Sequence, residues 1–244
     1  MSNAWKAPTL YSVCGRSGGF RYRFPMIFLK KFLGFLFSLI VMGVLPLWIL
    51  FRGTIYLYQE YSWWVPLGMT AMGVIVFFLL LVYVAMLWDA VFGANKISRR
   101  SLKGKMYFVV MLMLGYVGYT TFSFSAANAK SPTVATEFRE LHPLLRMGVG
   151  TFIFIDPGLM VTDMARVPED YASMGLAAKG QSLHYEQADG YVHAIDLRTK
   201  GRAEWKNTIL EGYFWFLGFR TLRHTGTADH LHVSLVWPEA PGRI

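Results

Sequence analysis

The chain has 244 residues, of which 54% are hydrophobic and 16% charged, and its formal net charge is +9. A composition this apolar indicates a membrane component and excludes an ordinary soluble domain. Residues 1–129 contain 12 Lys and Arg against two acids, whereas residues 130–244 contain 12 against 13. Because the basic excess belongs to the apolar half, it reports membrane topology and argues against nucleic acid as a partner. The single cysteine, Cys14, excludes an intrachain disulfide.

A basic tail over residues 1–31 precedes three apolar stretches without charges. These stretches cover about residues 32–51, 64–88 and 106–124. Each is close to the roughly 20 residues that a helix needs to cross the hydrocarbon core of a bilayer. The sequence therefore predicts a membrane region of three transmembrane helices over residues 32–124. Such spans are also compatible with association between copies of the chain.

The Lys and Arg residues are distributed unevenly around the predicted spans. Six precede the first span and five lie between the second and third, whereas Arg52 alone lies between the first and second. Because cytoplasmic loops are enriched in Lys and Arg, the N-terminus is predicted to be cytoplasmic. Three crossings then place residues 125–244 outside the cytoplasm. The spans contain no buried ionisable residue that could line a pathway, which argues against a channel or transporter.

After the spans, a linker of small residues over 125–136 leads to a domain over residues 137–244. Short strands are predicted over residues 158–162, 191–197, 219–222 and 230–237. An amphipathic helix is predicted over residues 203–218, with one apolar face formed by Trp205, Ile209, Gly212, Tyr213, Phe216 and Leu217. This mixture of strands and helices predicts a small α+β domain.

Histidine and acidic residues recur in this domain in a pattern typical of an open zinc site. They occur in Ser182-Leu183-His184, in Ala194-Ile195-Asp196-Leu197 and in Asp229-His230-Leu231-His232. Two imidazoles and a carboxylate suit a catalytic zinc ion, whose fourth position holds the water that the ion activates. Alternation along a strand would direct His230 and His232 to a common face.

Together with Arg166, these segments resemble a superfamily of zinc enzymes over about residues 161–235. It comprises the D-alanyl-D-alanine carboxypeptidases and L-alanyl-D-glutamate peptidases, and it includes phage endolysins and hedgehog-like domains. The resemblance implies an α+β zinc-peptidase domain in which His184, Asp196 and His232 bind Zn²⁺.

The same resemblance implies catalytic roles for three further residues. Asp229 corresponds to the general base, Arg166 to the arginine that contacts substrate or the developing oxyanion, and His230 to a residue lining the pocket. An aspartate in the base position is similar to the L-alanyl-D-glutamate peptidases of phage lysins, so a viral origin fits the sequence.

One departure from the family pattern lies between the first two ligands. Asp196 follows His184 by twelve positions, five more than in the family, as if about residues 187–191 had been inserted. A loop insertion is thermodynamically mild, because closure entropy grows slowly with length. The insertion nevertheless leaves Asp189 and His193 as alternative ligands. If Asp196 binds the metal, strand alternation makes His193 face away.

The resemblance implies a membrane-anchored metallopeptidase that hydrolyses peptide bonds of peptidoglycan stem peptides, as a carboxypeptidase or an endopeptidase. Its partners would be those peptides and a lipid membrane, either the bacterial inner membrane or a membrane associated with a virus. The insertion motivates a second hypothesis. In it, the outer domain is a catalytically inactive, membrane-tethered module that binds wall fragments or a partner protein.

Overall fold

The structure, a computed structural model, describes residues 23–92, 99–173, 175, 182–226 and 229–236. Three long helices come first in the chain: α1 (Arg23–Tyr61), α2 (Val65–Phe92) and α3 (Arg99–Phe122). A mixed region follows with α4 (Pro132–Glu137), α5 (Pro143–Ile155), α6 (Pro168–Ser173), α7 (Glu204–Leu217) and four strands. Most of the predicted basic tail, residues 1–22, lies outside the described residues.

Two helices of the described chain are long and apolar enough to cross a membrane. They correspond to the first two predicted spans and extend over Phe32–Tyr61 and Val65–Trp88. The third predicted span falls within α3, which is not one of the two, and α3 carries four Lys and Arg in its first seven residues. Large apolar side chains are nevertheless exposed along α3, including Tyr107, Met111 and Phe122. That α3 crosses the membrane therefore stays a prediction.

The four strands form one antiparallel sheet in the order β1-β2-β4-β3. Their bounds are Val161–Asp163 for β1, Ala194–Arg198 for β2, Arg220–His224 for β3 and His230–Ser234 for β4. All four overlap strands predicted from the sequence, and the α+β character of this region is confirmed. In this order β4 lies between β2 and β3. Side chains of β4 therefore have neighbours from both β2 and β3 on each face of the sheet.

Helix α7 occurs where the sequence predicts it, but its buried face differs from the predicted one. Leu210, Phe214 and Leu217 are buried, and the ring centroid of Phe214 lies 6.3 Å from that of Phe152 in α5. Most of the predicted apolar face, including Trp205, is exposed. The helix ends at Gly218, whose φ of +106° gives the left-handed conformation that favours glycine.

The segment predicted as a linker packs against the mixed region. The buried side-chain amide of Asn128 donates hydrogen bonds to the carbonyls of Pro157 and Leu159 at 3.0 and 2.9 Å. The amide of Lys130 donates to the carbonyl of Val161 at 2.9 Å. We therefore describe residues 125–236 together as the C-terminal domain.

Candidate metal centre

The pairing of β2 with β4 brings two of the predicted ligands together. Asp196 lies directly opposite His232 in the register of these strands, so both side chains project from one face of the sheet. Both are buried, and Nδ1 of His232 lies 2.9 Å from Oδ1 of Asp196. This face is called the metal face below.

The third predicted ligand, His184, reaches the same point from a loop. Two backbone hydrogen bonds fix this loop. The amide of Arg166 donates a hydrogen bond to the carbonyl of His184, and the amide of His193 donates one to the carbonyl of Leu183, both at 2.9 Å. Nε2 of His184 lies 3.2 Å from Nδ1 of His232 and 3.4 Å from Oδ1 of Asp196. The structure thus brings together the three ligands predicted from the sequence.

The three donor atoms form a triangle whose sides fit a small cation. The sides measure 2.9, 3.2 and 3.4 Å. A tetrahedral zinc ion with bonds of about 2.0 to 2.1 Å separates its ligands by about 3.3 Å. Two imidazole nitrogens and one carboxylate oxygen favour zinc over magnesium or calcium, which prefer oxygen ligands. The donor set therefore fits a zinc ion.

A hydrogen bond fixes the tautomer of His184 in the form that a metal requires. Nδ1 of this buried imidazole lies 2.6 Å from the carbonyl oxygen of Met164. Since a carbonyl only accepts, Nδ1 carries the proton, and the lone pair of Nε2 faces Asp196 and His232. His232 presents Nδ1 to the same point, and its buried Nε2 has no hydrogen-bond partner within the described ranges.

Arg166 contacts the ligand carboxylate. One of its terminal nitrogens lies 2.7 Å from Oδ2 of Asp196 and 2.7 Å from Oδ2 of Asp163. Burial of the guanidinium disfavours its charge, but the charge of Asp196 and a hydrogen bond with Tyr171 outweigh this effect and raise the pKa of Arg166. In this position, Arg166 binds Oδ2 of Asp196, and Oδ1 of the same carboxylate faces the imidazoles of His184 and His232.

The structure does not bring Asp229, the predicted general base, to the metal face. Its carboxylate accepts hydrogen bonds from the hydroxyl of Thr199 at 2.6 Å and from Nε of Arg223 at 2.8 Å. Asp229 lies three residues before His232, and an odd separation along an extended strand gives opposite faces. The hydrogen bonds from Arg223 and Thr199 lower the pKa of Asp229 to about 2, which makes it a weak base. Its position therefore does not support the predicted role.

His230 lies on the metal face, as the alternation predicted. Its Nε2 is 3.7 Å from Oδ2 of Asp196, and its side chain is 24% exposed. It pairs across the sheet with His224, and the two imidazoles stack with centroids 4.7 Å apart. The sequence alone indicates no role for His224, because only the pairing of β3 with β4 brings it beside His230.

A second cluster of His142, Asp189 and His193 resembles a metal site by distance alone. The predicted insertion forms a tight turn, closed by a hydrogen bond from the amide of Gln187 to the carbonyl of Tyr191 at 2.9 Å. This turn carries Asp189 to within 2.9 Å of Nε2 of His193. The sequence did not connect His142 with this pair, because it lies about 50 residues upstream.

The tautomer of His142 argues against a metal ion in this second cluster. Its Nδ1 accepts a hydrogen bond from the amide of Leu144 at 3.2 Å, so the neutral imidazole carries its proton on Nε2. That nitrogen faces Asp189 at 3.8 Å and has no lone pair for a cation. Burial lowers the pKa of His142 to about 3, so the ring is neutral at pH 7. Asp189 and His193, the alternative ligands, therefore belong to a separate cluster.

A cavity of about 600 Å³ lies beside this second cluster, and its lining differs from that of the metal face. It is lined by Tyr58, Ser62, Trp63, Trp64, Val65, Pro66, Met69, His142, Pro143, Asp189 and Tyr191. None of the three predicted metal ligands is among these residues. The metal centre is therefore a site on the face of the sheet, separate from this cavity.

Comparison of the chain with protein-family models, with curated proteins and with solved structures finds no match.

Proposed function

We propose that the protein is a membrane-anchored zinc metallopeptidase that hydrolyses peptide bonds of peptidoglycan stem peptides. The observation that carries this proposal is the convergence of His184, Asp196 and His232, three residues distant in the chain. Their donor atoms lie 2.9 to 3.4 Å from one another. They are also the residues that the resemblance to the wall peptidases assigns as ligands.

Zinc bound by these residues would supply Lewis acidity and lower the pKa of water towards neutrality. The proton released by the attacking water needs an acceptor near the donor triangle. Among the described residues on the metal face, we assign this role to His230, because it adjoins Asp196 and is partly exposed. Imidazole is the commonest group for such transfer. His230 takes the proton as water adds to the carbonyl carbon, and returns it to the nitrogen as the C–N bond breaks.

The substrate class rests on the resemblance and on the predicted orientation. Residues 125–244 are predicted to lie outside the cytoplasm, where a bacterium keeps its peptidoglycan. Two helices long and apolar enough to cross a membrane support the anchoring. A membrane associated with a virus would hold the domain near peptidoglycan in the same way. In this assignment the spans hold the peptidase near the wall.

The test uses the full chain purified in detergent. We expect about one zinc ion per chain, released peptides from purified peptidoglycan, and loss of both in His232→Ala. His230→Gln should keep zinc but lower kcat by about 10² to 10⁴-fold, because proton transfer is lost while the ligands remain. Asp229→Asn is the matched control and should keep both zinc and activity. If instead Asp229→Asn were inactive and His230→Gln active, Asp229 would be the general base and the assignment to His230 would be wrong.

The binding of Asp229 by Arg223 and Thr199 favours a second candidate function. In this alternative, the domain binds zinc and wall fragments or a partner protein but lacks catalysis, because Asp229 is held by Arg223 and Thr199 and does not serve as base. It predicts stoichiometric zinc and retention on peptidoglycan, with no new amino groups released from several wall substrates. Turnover by the wild-type protein would eliminate it.

A further inference from the structure

Helix α7 carries apolar side chains on two opposite faces, and only one of them packs against the domain. Leu210 and Phe214 are buried, whereas Trp205 is 63% exposed and Ile209 is 50% exposed. Trp205, Ile209 and Phe216 follow one another at spacings of four and seven residues, which places them along one stripe of the helix. We call these three residues the outer stripe of α7.

The C-terminal end of α7 adjoins α1, the first predicted span. The ring centroids of Phe216 and Trp48 lie 6.3 Å apart. A terminal nitrogen of Arg52 donates to the carbonyl of Trp215 at 3.2 Å. Arg52 directly follows the uncharged residues 32–51, so this contact lies where the uncharged stretch of α1 ends.

The N-terminal end of α7 is tied to the end of α5, and through α5 to α3. Arg202 and Lys206 lie 2.8 and 3.7 Å from the carboxylate of Asp156, which follows α5. The exposed ring of Phe154, near the end of α5, packs edge-on against Tyr119 of α3 with centroids 5.8 Å apart. Contacts therefore connect α7 directly with α1 at one end and, through α5, with α3 at the other.

We propose that the outer stripe of α7 lies in the interfacial layer of the lipid bilayer and binds lipid beside the spans. Phe216, at one end of the stripe, lies beside Trp48 among the exposed apolar side chains of α1, so lipid is the partner that this contact favours. Tryptophan suits this layer, because its ring is apolar and its N–H is polar. Lys206 lies 5.7 Å from the centroid of the Trp205 ring and can extend its ammonium towards headgroups. The proposal rests on membrane anchoring and is independent of peptidase activity.

The test measures the depth of single probes in the full chain. An environment-sensitive fluorophore is attached to Ile209→Cys in a Cys14→Ser background, in nanodiscs whose lipids carry a spin label high on the acyl chain. Glu211→Cys, which lies about 200° around the same helix, is the matched control. Val82→Cys, exposed on α2, reports whether the predicted span is in the bilayer. We expect at least about twofold more quenching at 209 and 82 than at 211.

Each outcome supports or overturns the proposal. Equal quenching at 209 and 211, with strong quenching at 82, would show that α7 stands clear of lipid although the chain is anchored. Absence of quenching at 82 would remove both the anchoring and the inference about α7. Strong quenching at 209 and 82 without peptidase activity would support the lipid-binding surface while the proposed enzymatic function fails.

Discussion

At the scale of single residues, hydrogen bonds of the backbone decide which histidines can hold a cation. The carbonyl of Met164 places the proton of His184 on Nδ1, whereas the amide of Leu144 places the proton of His142 on Nε2. Both imidazoles lie within reach of a carboxylate and another imidazole. Of these two histidines, His184 presents a nitrogen lone pair to its cluster, whereas His142 presents an N–H. The two clusters contain similar residues, but the first suits a cation better.

Replacing one histidine of each cluster tests this distinction. His184→Ala should lower zinc affinity by more than about 100-fold, because it removes one of the three protein ligands. His193→Ala should bind zinc as the wild type does, because its imidazole contacts Asp189 on the other side of β2. Competition with a chromophoric chelator measures both affinities. Equal loss in the two variants would mean that zinc uses both clusters.

The neutral state of His142 predicts a pH dependence of stability. Burial lowers the pKa of His142 from 6.5 to about 3, so the unfolded chain takes up a proton that the folded chain refuses. Its contribution is complete above pH 6.5 and is lost as the pH falls towards 3. At pH 4.5 the loss amounts to about 2 to 3 kcal/mol of the free energy of unfolding.

His142→Asn provides the comparison, because Asn cannot titrate and can still accept from the amide of Leu144 at the start of α5. Denaturant unfolding of the full chain in detergent at pH 7 and 4.5 should show a smaller decrease for this variant than for the wild type. Equal decreases in the free energy of unfolding of the two proteins would mean that His142 binds its proton as readily in the folded state as in the unfolded state.

At the scale of elements, strand periodicity predicted the faces of some site residues but not of all. Asp196 and His232 share a face because β2 and β4 pair in register. His193 faces away from them, as the alternation predicted, and contacts Asp189 instead. The family pattern, however, also assigned Asp229 to the site, although three positions along a regular strand reverse the face. The sequence could not show that Thr199 and Arg223 would hold this carboxylate, because that depends on strand order.

The face of α7 could not be predicted for a related reason. Its periodicity correctly indicated a helix, but apolar residues occupy two sides of it, and periodicity alone does not say which side meets the core. Phe214 was left out of the predicted face, yet it packs against Phe152 and Phe219. Which side of α7 is buried depends on the elements that pack against it, and the local sequence of the helix does not contain that information.

The space around two helical glycines, Gly150 in α5 and Gly212 in α7, predicts opposite effects of replacing them by alanine. A Cβ atom at Gly150 in α5 would lie 2.6 Å from the carbonyl oxygen of Thr120 in α3, which is backbone and cannot move aside. Gly150→Ala should therefore destabilise the protein by about 1 to 3 kcal/mol. Gly212→Ala in α7 meets nothing within 4 Å and should stabilise it by about 0.5 to 1 kcal/mol. Thermal unfolding in detergent measures both, and a neutral Gly150→Ala would argue against this close packing.

At the scale of the whole molecule, the C-terminal domain shares its core with the helices before it. Phe51, Ile55 and Tyr58 of α1 and Val65 of α2 belong to one cluster of buried side chains with residues of the domain. The sequence suggested a boundary at residues 125–136, because composition changes there. Composition does not report packing across a boundary, and the structure shows that the domain is completed by the ends of α1 and α2.

The number of crossings decides on which side of the membrane the metal centre lies. With three crossings, Cys14 and Glu140 are on opposite sides of the membrane; with two, they are on the same side. The native chain, with Cys14 as its only cysteine, is compared in intact bacterial cells with Cys14→Ser/Glu140→Cys, whose new thiol replaces an exposed side chain. A membrane-impermeant maleimide should label Glu140→Cys at once, and Cys14 only after permeabilisation, because the basic N-terminal tail favours the cytoplasm. Protection of both thiols would show that α3 does not cross. The metal centre would then face the cytoplasm, and peptidoglycan would be lost as a substrate even if zinc binding were intact.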